Sequence, residues 1–319
     1  MWGATMKSKE FFKTIQKEIL TLMKTEGMDW SKSWVDINME VPQNYFTGRH
    51  YRGINIWWLD FIAFYRGYEC NGWATFKQWS DAGCKIKKGE KGASVHFLQI
   101  KEKKLEWLKE DELSKYKKTG KLPTYWQEKI YYVFNENQIE DSSISTIKPK
   151  YHINQVKHSS DLTESTRSSL QTFIANTEAF INDWNTDEVN IDGSVIKSDS
   201  AYYSPRNDMI TMPLLEAFHK ESDYYSVLLH ELAHWTMHKD RLDRDLPYAE
   251  EELVAEISSC FLSRLLGVEK SVRPNHAKYI NNWITAIEED ERALQSAFSK
   301  AQKVVDYLYG LQKEQKEVA

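Results

Sequence analysis

The chain has 319 residues, 41% hydrophobic and 28% charged, with a formal net charge of −5; the length allows two ordinary domains or one large one, and the composition excludes a disordered chain. No apolar run nears the roughly 18 residues that span a bilayer, since the most apolar stretch, Ile54 to Tyr65, is broken by Asn55 and Asp60. Lys7, Lys9, Lys13 and Lys17 near the start have no apolar core among them, which argues against a signal peptide and for a cytoplasmic protein with no membrane partner.

An amphipathic helix is predicted over about Lys7 to Lys24, where Phe11, Ile15, Ile19, Leu22 and Met23 recur at helical spacing. A second helix follows over Ile54 to Tyr65 and a short one over Thr75 to Ala82, with strands over Ser94 to Ile100 and Lys129 to Phe134. These make a small α+β domain of residues 1–135. Residues 136–166, rich in Ser, Thr and Lys and lacking periodicity, read as a linker. The second domain, 167–319, opens with a helix from Arg167 to Trp184. Strand-like segments follow at Glu188 to Ile191, Val195 to Lys197 and Asp208 to Met212, with Asp192-Gly193 as a turn. After Pro213 three helices are expected, about Leu214 to His238, Ala249 to Leu266 and Asn275 to Leu311. The fold class is α+β, the second domain being mostly helical with a small sheet.

The two parts differ in chemistry. Residues 1–135 hold 23 Lys and Arg against 16 Asp and Glu, with nine of the twelve tryptophans, while residues 136–319 hold 19 against 31. In the basic part, Arg49, Tyr51, Arg52 and Asn55 surround Gly48 and Gly53. Trp73, Phe76 and Lys77, then Lys85, Lys87, Lys88 and Lys91, repeat that mixture of rings and cations. Bases stack on aromatics while Lys and Arg meet phosphates, so these residues are candidates for binding nucleic acid. The competing reading is that the rings are core and the lysine-rich turns are merely solvated.

In the acidic part, His230-Glu231-Leu232-Ala233-His234 is the H-E-x-x-H pattern. Positions i and i+4 of a helix share a face, so both imidazoles can reach one ion with Glu231 beside it. The apolar lead-in YYSVLL buries this helix, and its buried polar groups need partners, for which Zn2+ is the economical choice. The three cysteines, Cys70, Cys84 and Cys260, form no C-x-x-C pair, so any further ligand is a His or carboxylate. The following helix offers Glu250, Glu251, Glu252 and Glu256. Zinc acidifies water, and the Glu231 carboxylate is then the natural general base for cleaving a peptide bond. The competing reading is a pair of hydrogen-bonded core histidines, or a metal site without turnover. His238 reads as a cation at the helix C-terminus, and the stretch Ala201 to Pro213 as an edge strand above the cleft, the competing reading being an ordinary edge strand ended by Pro213.

Glu252-Leu253-Val254-Ala255-Glu256 resembles the gluzincin pattern E-x-x-A-[DNE]. That resemblance implies Glu252 as the third metal ligand and Glu256 as the carboxylate that orients a ligand histidine, with Glu251 and Glu256 remaining alternatives for the ligand. A metzincin is disfavoured because Asp240 stands where its third His would fall. The whole chain resembles the ArdC family of antirestriction proteins of conjugative plasmids and phages. The resemblance is carried by Pro42 to Asn55, Thr75 to Gln78, Lys87 to Gly92 and Tyr131 to Asn135, then by His230 to Thr236, Arg241-Leu242 and Tyr248 to Glu256. Met237 departs from the pattern, where a Gly is expected. The resemblance implies an N-terminal domain that binds single-stranded DNA and a C-terminal zincin-like metallopeptidase domain. It further implies protection of incoming DNA from host restriction, with a host protein as the candidate substrate. The alternative is a DNA-binding antirestriction module whose zinc domain is structural or occluding. A plain peptidase whose basic domain recruits a protein substrate is a third reading.

Overall fold

The computed structural model describes residues 8–31, 41–144, 149, 162–183, 201–269, 280–290 and 292–318. It is an α+β fold in which the basic and acidic parts bury one continuous core.

Helix α1 (Ser8–Glu26) forms where the apolar spacing predicted it, and its stripe of Phe11, Ile15, Ile19 and Met23 is buried. Helix α2 (Ile54–Tyr65) is apolar on most sides, as befits a helix enclosed by neighbours. Strands β1 (Gln43–Asn44), β2 (Gly72–Thr75), β3 (Ala93–Glu102) and β4 (Thr124–Asn135) form a sheet in the order β1-β2-β4-β3. Both long strands extend beyond the expected limits because they pair antiparallel along ten rungs, from Ala93↔Val133 to Glu102↔Thr124. Helix α3 (Phe76–Asp81) follows β2 directly. It starts with a capping box in which the Thr75 hydroxyl accepts from the Gln78 amide and the Gln78 side chain accepts from the Thr75 amide. Helix α4 (Glu110–Thr119), which the sequence reading missed, lies between β3 and β4.

Of the stretch expected as a linker, Glu136–Gln138 is a 3-10 turn and α5 covers Asp141–Ile144. The Gln138 carbonyl accepts from Lys87 N, and Ile139 bridges Ile86, so this beginning is held to the basic part. Helix α6 (Glu164–Ala175) is shorter than the expected helix to Trp184. Thr177 closes it through a bond to the Ile174 carbonyl and Glu178 takes a positive φ of 55°, turning the chain so that Phe180–Asp183 becomes strand β5. Pairing with the sheet overrode the local helical pattern. The expected strands at 188–191 and 195–197 and the turn at 192–193 lie outside the described residues.

Strands β6 (Tyr202–Ser204) and β7 (Met209–Met212) complete a second sheet in the order β5-β7-β6. The segment expected as one edge strand is thus a hairpin, with β6 on the edge and β7 central. A 3-10 turn at Leu215–Ala217 delays helix α7 to Glu221–Trp235. Helix α8 spans Tyr248–Leu266. The expected final helix is two, α9 (Ile280–Glu289) and α10 (Ala293–Val318). They break at Asp290, whose carboxylate accepts from Arg292 N and whose carbonyl accepts from Ala293 N, a local side-chain bond that competes with helix continuation.

The core joins Phe11, Ile19, Trp30, Trp57 and Trp73 of the basic part to Leu228, Leu232, Ile257, Phe261, Trp283 and Phe298 of the acidic part. Polar contacts cross the same seam: Gln16 donates to the Ile287 carbonyl, Gln302 accepts from Gly53 N, and Arg52 pairs with Asp306. At its centre Arg264 of α8 donates to Asp60 of α2 at 3.1 Å, with both side chains buried. Asn71 also donates to Asp60, and Trp73 Nε1 donates to Asn71.

Candidate metal centre

Helix α7 is buried from Tyr225 to Trp235, because it runs through the middle of the acidic part with α8 against it. The structure brings His230 and His234 together on one face, with Nε2 atoms 3.0 Å apart. Glu252, one turn into α8, reaches both: its carboxylate oxygens lie 3.6 Å from His230 Nε2 and 3.6 Å from His234 Nε2. One donor atom from each of the three lies within 4.8 Å of the others. With both imidazoles protonated on Nδ1, the two Nε2 lone pairs would oppose each other at 3.0 Å, an arrangement that a cation between them relieves. Two nitrogens and a carboxylate oxygen are a donor set suited to zinc and acceptable to other divalent first-row metals.

Behind each imidazole stands another carboxylate. Glu256 Oε2 is 3.4 Å from His230 Nδ1, and Glu251 Oε1 is 3.4 Å from His234 Nδ1. Neither is arranged as the third donor of the cluster. Sequence reading gave Glu256 the orienting place and kept Glu251 only as an alternative ligand. It missed Arg244, which holds Glu251 by bonds from Nη2 to Oε1 at 2.6 Å and from Nε to Oε2 at 3.1 Å. The same guanidinium donates to the Ala233 carbonyl and to Thr236 Oγ1, so it also satisfies an end of α7.

Electrostatics follow from this crowd of carboxylates. Burial opposes a charge on His234, but contacts with Glu251 and Glu252 and the nearby charge of Glu231 outweigh it and push its pKa up to about 9. Burial would likewise raise Glu252, yet both histidines hold it far below the ordinary carboxylate range. Glu251 is lowered too, since His234 and Arg244 outweigh its burial. Glu231 is buried beside the ligand face.

The hairpin of β6 and β7 is fastened at the end of α7. Arg241 donates to both carboxylate oxygens of Asp208 and to Tyr203 Oη, and its guanidinium lies 3.9 Å from the Trp235 ring. The Arg241-Leu242 motif therefore ties this hairpin to the end of α7. His238 Nδ1 lies 3.4 Å from Asp240, at the turn after the helix.

The residues expected to meet DNA are spread over the β1–α2 loop, β2, α3 and the α3–β3 turn. Arg49, Arg52, Phe76, Lys77, Lys85, Lys87, Lys88 and Lys91 are exposed. Trp73 is fully buried, so its expected stacking on a base is corrected to a core role. Asn55 is also corrected: its amide donates to the His96 carbonyl at 2.7 Å and accepts from His96 N at 2.8 Å, fastening α2 to the edge of β3. Tyr51 is half-buried, its hydroxyl donating to the Trp73 carbonyl. Sequence alone does not separate a ring in the core from one on the surface. What it missed is a set of exposed rings on β3 and β4, among them Phe97, Trp126 and Tyr131.

Two family models match parts of the chain. A family model described as the N-terminal domain of anti-restriction factor ArdC matches residues 9–134, and one described as a zincin-like metallopeptidase matches 175–300. Among curated proteins, two forms of DNA primase TraC of Escherichia coli are 28% and 29% identical over 96% of this chain, which spans only 20% and 28% of their lengths. The uncharacterized protein y4eC of Sinorhizobium fredii is 28% identical, with 95% of this chain and 92% of that protein covered. Among solved structures, the metal-free antirestriction protein ArdC of plasmid R388 is 29% identical, with a TM-score of 0.71 and 96% and 98% coverage of the two chains. Its Mn(II)-bound form is 30% identical, with a TM-score of 0.69 and 94% and 97% coverage. No helix among the described residues is long and apolar enough to cross a membrane. With both parts matched in order and a 30% identical relative covered nearly end to end, this chain belongs to the ArdC family of antirestriction proteins.

Proposed function

We propose that this protein protects incoming DNA from restriction in the cytoplasm by binding it as a single strand and by cleaving a host protein at a zinc site. The observation that carries the peptidase reading is the convergence of His230 Nε2, His234 Nε2 and a Glu252 oxygen, with a carboxylate 3.4 Å behind each imidazole. In this reading His230, His234 and Glu252 hold the metal. Zinc bound there supplies a Lewis acid that acidifies water and polarises a carbonyl. Glu251 accepts from the Nδ1–H of His234 and Glu256 stands 3.4 Å from His230 Nδ1, so each carboxylate favours the tautomer that leaves the Nε2 lone pair free. The Glu231 carboxylate takes a proton from the attacking water and returns it to the leaving amine. The single-strand reading is supported by the ArdC-type N-terminal domain and by the exposed cations named above.

Elemental analysis of the purified protein tests the ligand set. About one zinc per chain is expected, lost in His234→Ala and Glu252→Ala and retained in Glu231→Gln; manganese in place of zinc would revise the metal, and no metal would remove the peptidase reading. Glu231→Gln should abolish protection during plasmid transfer. A variant that protects as well as the wild type would leave the zinc domain a structural or occluding role.

A further inference from the structure

Beyond Lys129 and Phe97 the paired strands β3 and β4 continue as a two-stranded arm, about 17 Å long over the rungs from Phe97 to Glu102. Strand β3 is buried from Ala93 to His96 and is exposed from Phe97 to Ile100, while β4 alternates over 124–129, with Thr124, Trp126 and Glu128 exposed and Tyr125, Gln127 and Lys129 half-buried. Directly opposed residues of an antiparallel pair share a face and successive residues alternate between faces, so the register sorts the arm's side chains into two sets. One face carries the rungs Phe97↔Lys129, Gln99↔Gln127 and Lys101↔Tyr125. Tyr131 packs edge-on against Phe97 with centroids 6.1 Å apart. Trp107, from the turn after β3, does the same against Tyr125 at 6.1 Å, with Lys104 Nζ 5.2 Å from the Trp107 ring. The other face carries Leu98↔Glu128, Ile100↔Trp126 and Glu102↔Thr124.

The first face thus has two aromatic pairs about 13 Å apart, each with a lysine directly across the ladder, and its rungs hold no acid. Phe97, Trp107 and Tyr131 keep 52%, 51% and 40% of their surface open. We propose that this face is a base-stacking platform for single-stranded nucleic acid, with Lys101 and Lys129 meeting phosphates. Unpaired bases offer the open π-faces that such rings need, whereas a duplex keeps its bases stacked on one another. The opposite face is a poor choice for a phosphate chain despite Trp126, the most exposed ring of the arm at 64%, because Glu128 and Glu102 flank it. The inference rests on the single-strand reading proposed above.

The test is fluorescence anisotropy of a labelled thymidine oligonucleotide of about 16 nucleotides, titrated with the full chain at several salt concentrations. Phe97→Ala with Trp107→Ala should weaken binding about tenfold or more, Phe97→Tyr should bind as wild type does, and Trp126→Ala should change little. Lys101→Gln with Lys129→Gln should also flatten the dependence of affinity on salt, which Phe97→Ala with Trp107→Ala leaves intact. Wild-type binding that survives loss of Phe97 and Trp107, or that falls only in Trp126→Ala or Arg49→Ala, overturns the platform and leaves the single-strand reading standing. Platform variants that alter self-association in sedimentation but not oligonucleotide binding make the face a protein contact and overturn it too. A wild-type chain that does not bind the oligonucleotide removes the single-strand reading itself, and the platform with it.

Discussion

His234 is the residue on which the most forces meet. Its Nε2 faces His230 and Glu252 while its Nδ1 faces Glu251, and it holds a proton to about pH 9 when no metal competes. A metal entering the site must expel that proton. Apparent metal affinity is therefore expected to rise about tenfold per pH unit from neutrality and to level off above about pH 9, as read from metal titrations across that range. Arg244 acts one step further out. Arg244→Ala frees Glu251 and with it the His234 ring, and is expected to cost about 10- to 100-fold in metal affinity with stoichiometry unchanged in excess metal. The H-E-x-x-H residues and Glu252 were legible because helical spacing and a known pattern fix where they point. Arg244 was not, since its partners Ala233, Thr236 and Glu251 come from two helices and the turn between them, and no periodic signal marks a guanidinium that caps one helix while gripping a residue of the next.

At the scale of elements, helices with a long apolar run were readable almost to the residue, as α2 and α8 illustrate. The failures have different causes: β5 sits where a helix was expected because it completes a sheet with a strand almost thirty residues later, and at Asp290 a local side-chain bond to Arg292 N competes with helix continuation. Some motifs that looked functional prove architectural. Thr75 to Gln78 is a capping box and Asn135 accepts from Asn137 N while donating to the Cys70 carbonyl. Thr75→Ala is expected to cost about 1 kcal/mol of stability in urea unfolding, with metal content unchanged. A loss of metal in that variant would mean that α3 and the zinc helices are coupled in a way the contacts described above do not provide.

At the scale of the molecule, the charge asymmetry suggested two independent halves, and the packing joins them. Asp60 and Arg264 lie 204 positions apart and are each fully enclosed, a pairing that no local pattern in the sequence announces. Arg264→Ala leaves the Asp60 carboxylate buried with only Asn71 as a partner and is expected to destabilise the fold by about 3–5 kcal/mol in urea denaturation. Because the core is continuous, the tryptophan signal of the basic part and release of the metal from the acidic part should follow one transition; two separated transitions would show that the halves unfold on their own.

The Asp60–Arg264 contact also bears on inheritance. A recombination joint falling between residues 145 and 161 that brought in a half lacking the partner charge would leave one product with an enclosed carboxylate and the other with an enclosed guanidinium, each without its counter-charge. Exchange of either half for one that lacks the matching charge is thus penalised at the level of the folded product, while transfer of the whole block is not. The same span does recur inside the much longer TraC primases, where 96% of this chain is matched without interruption of the order of its parts.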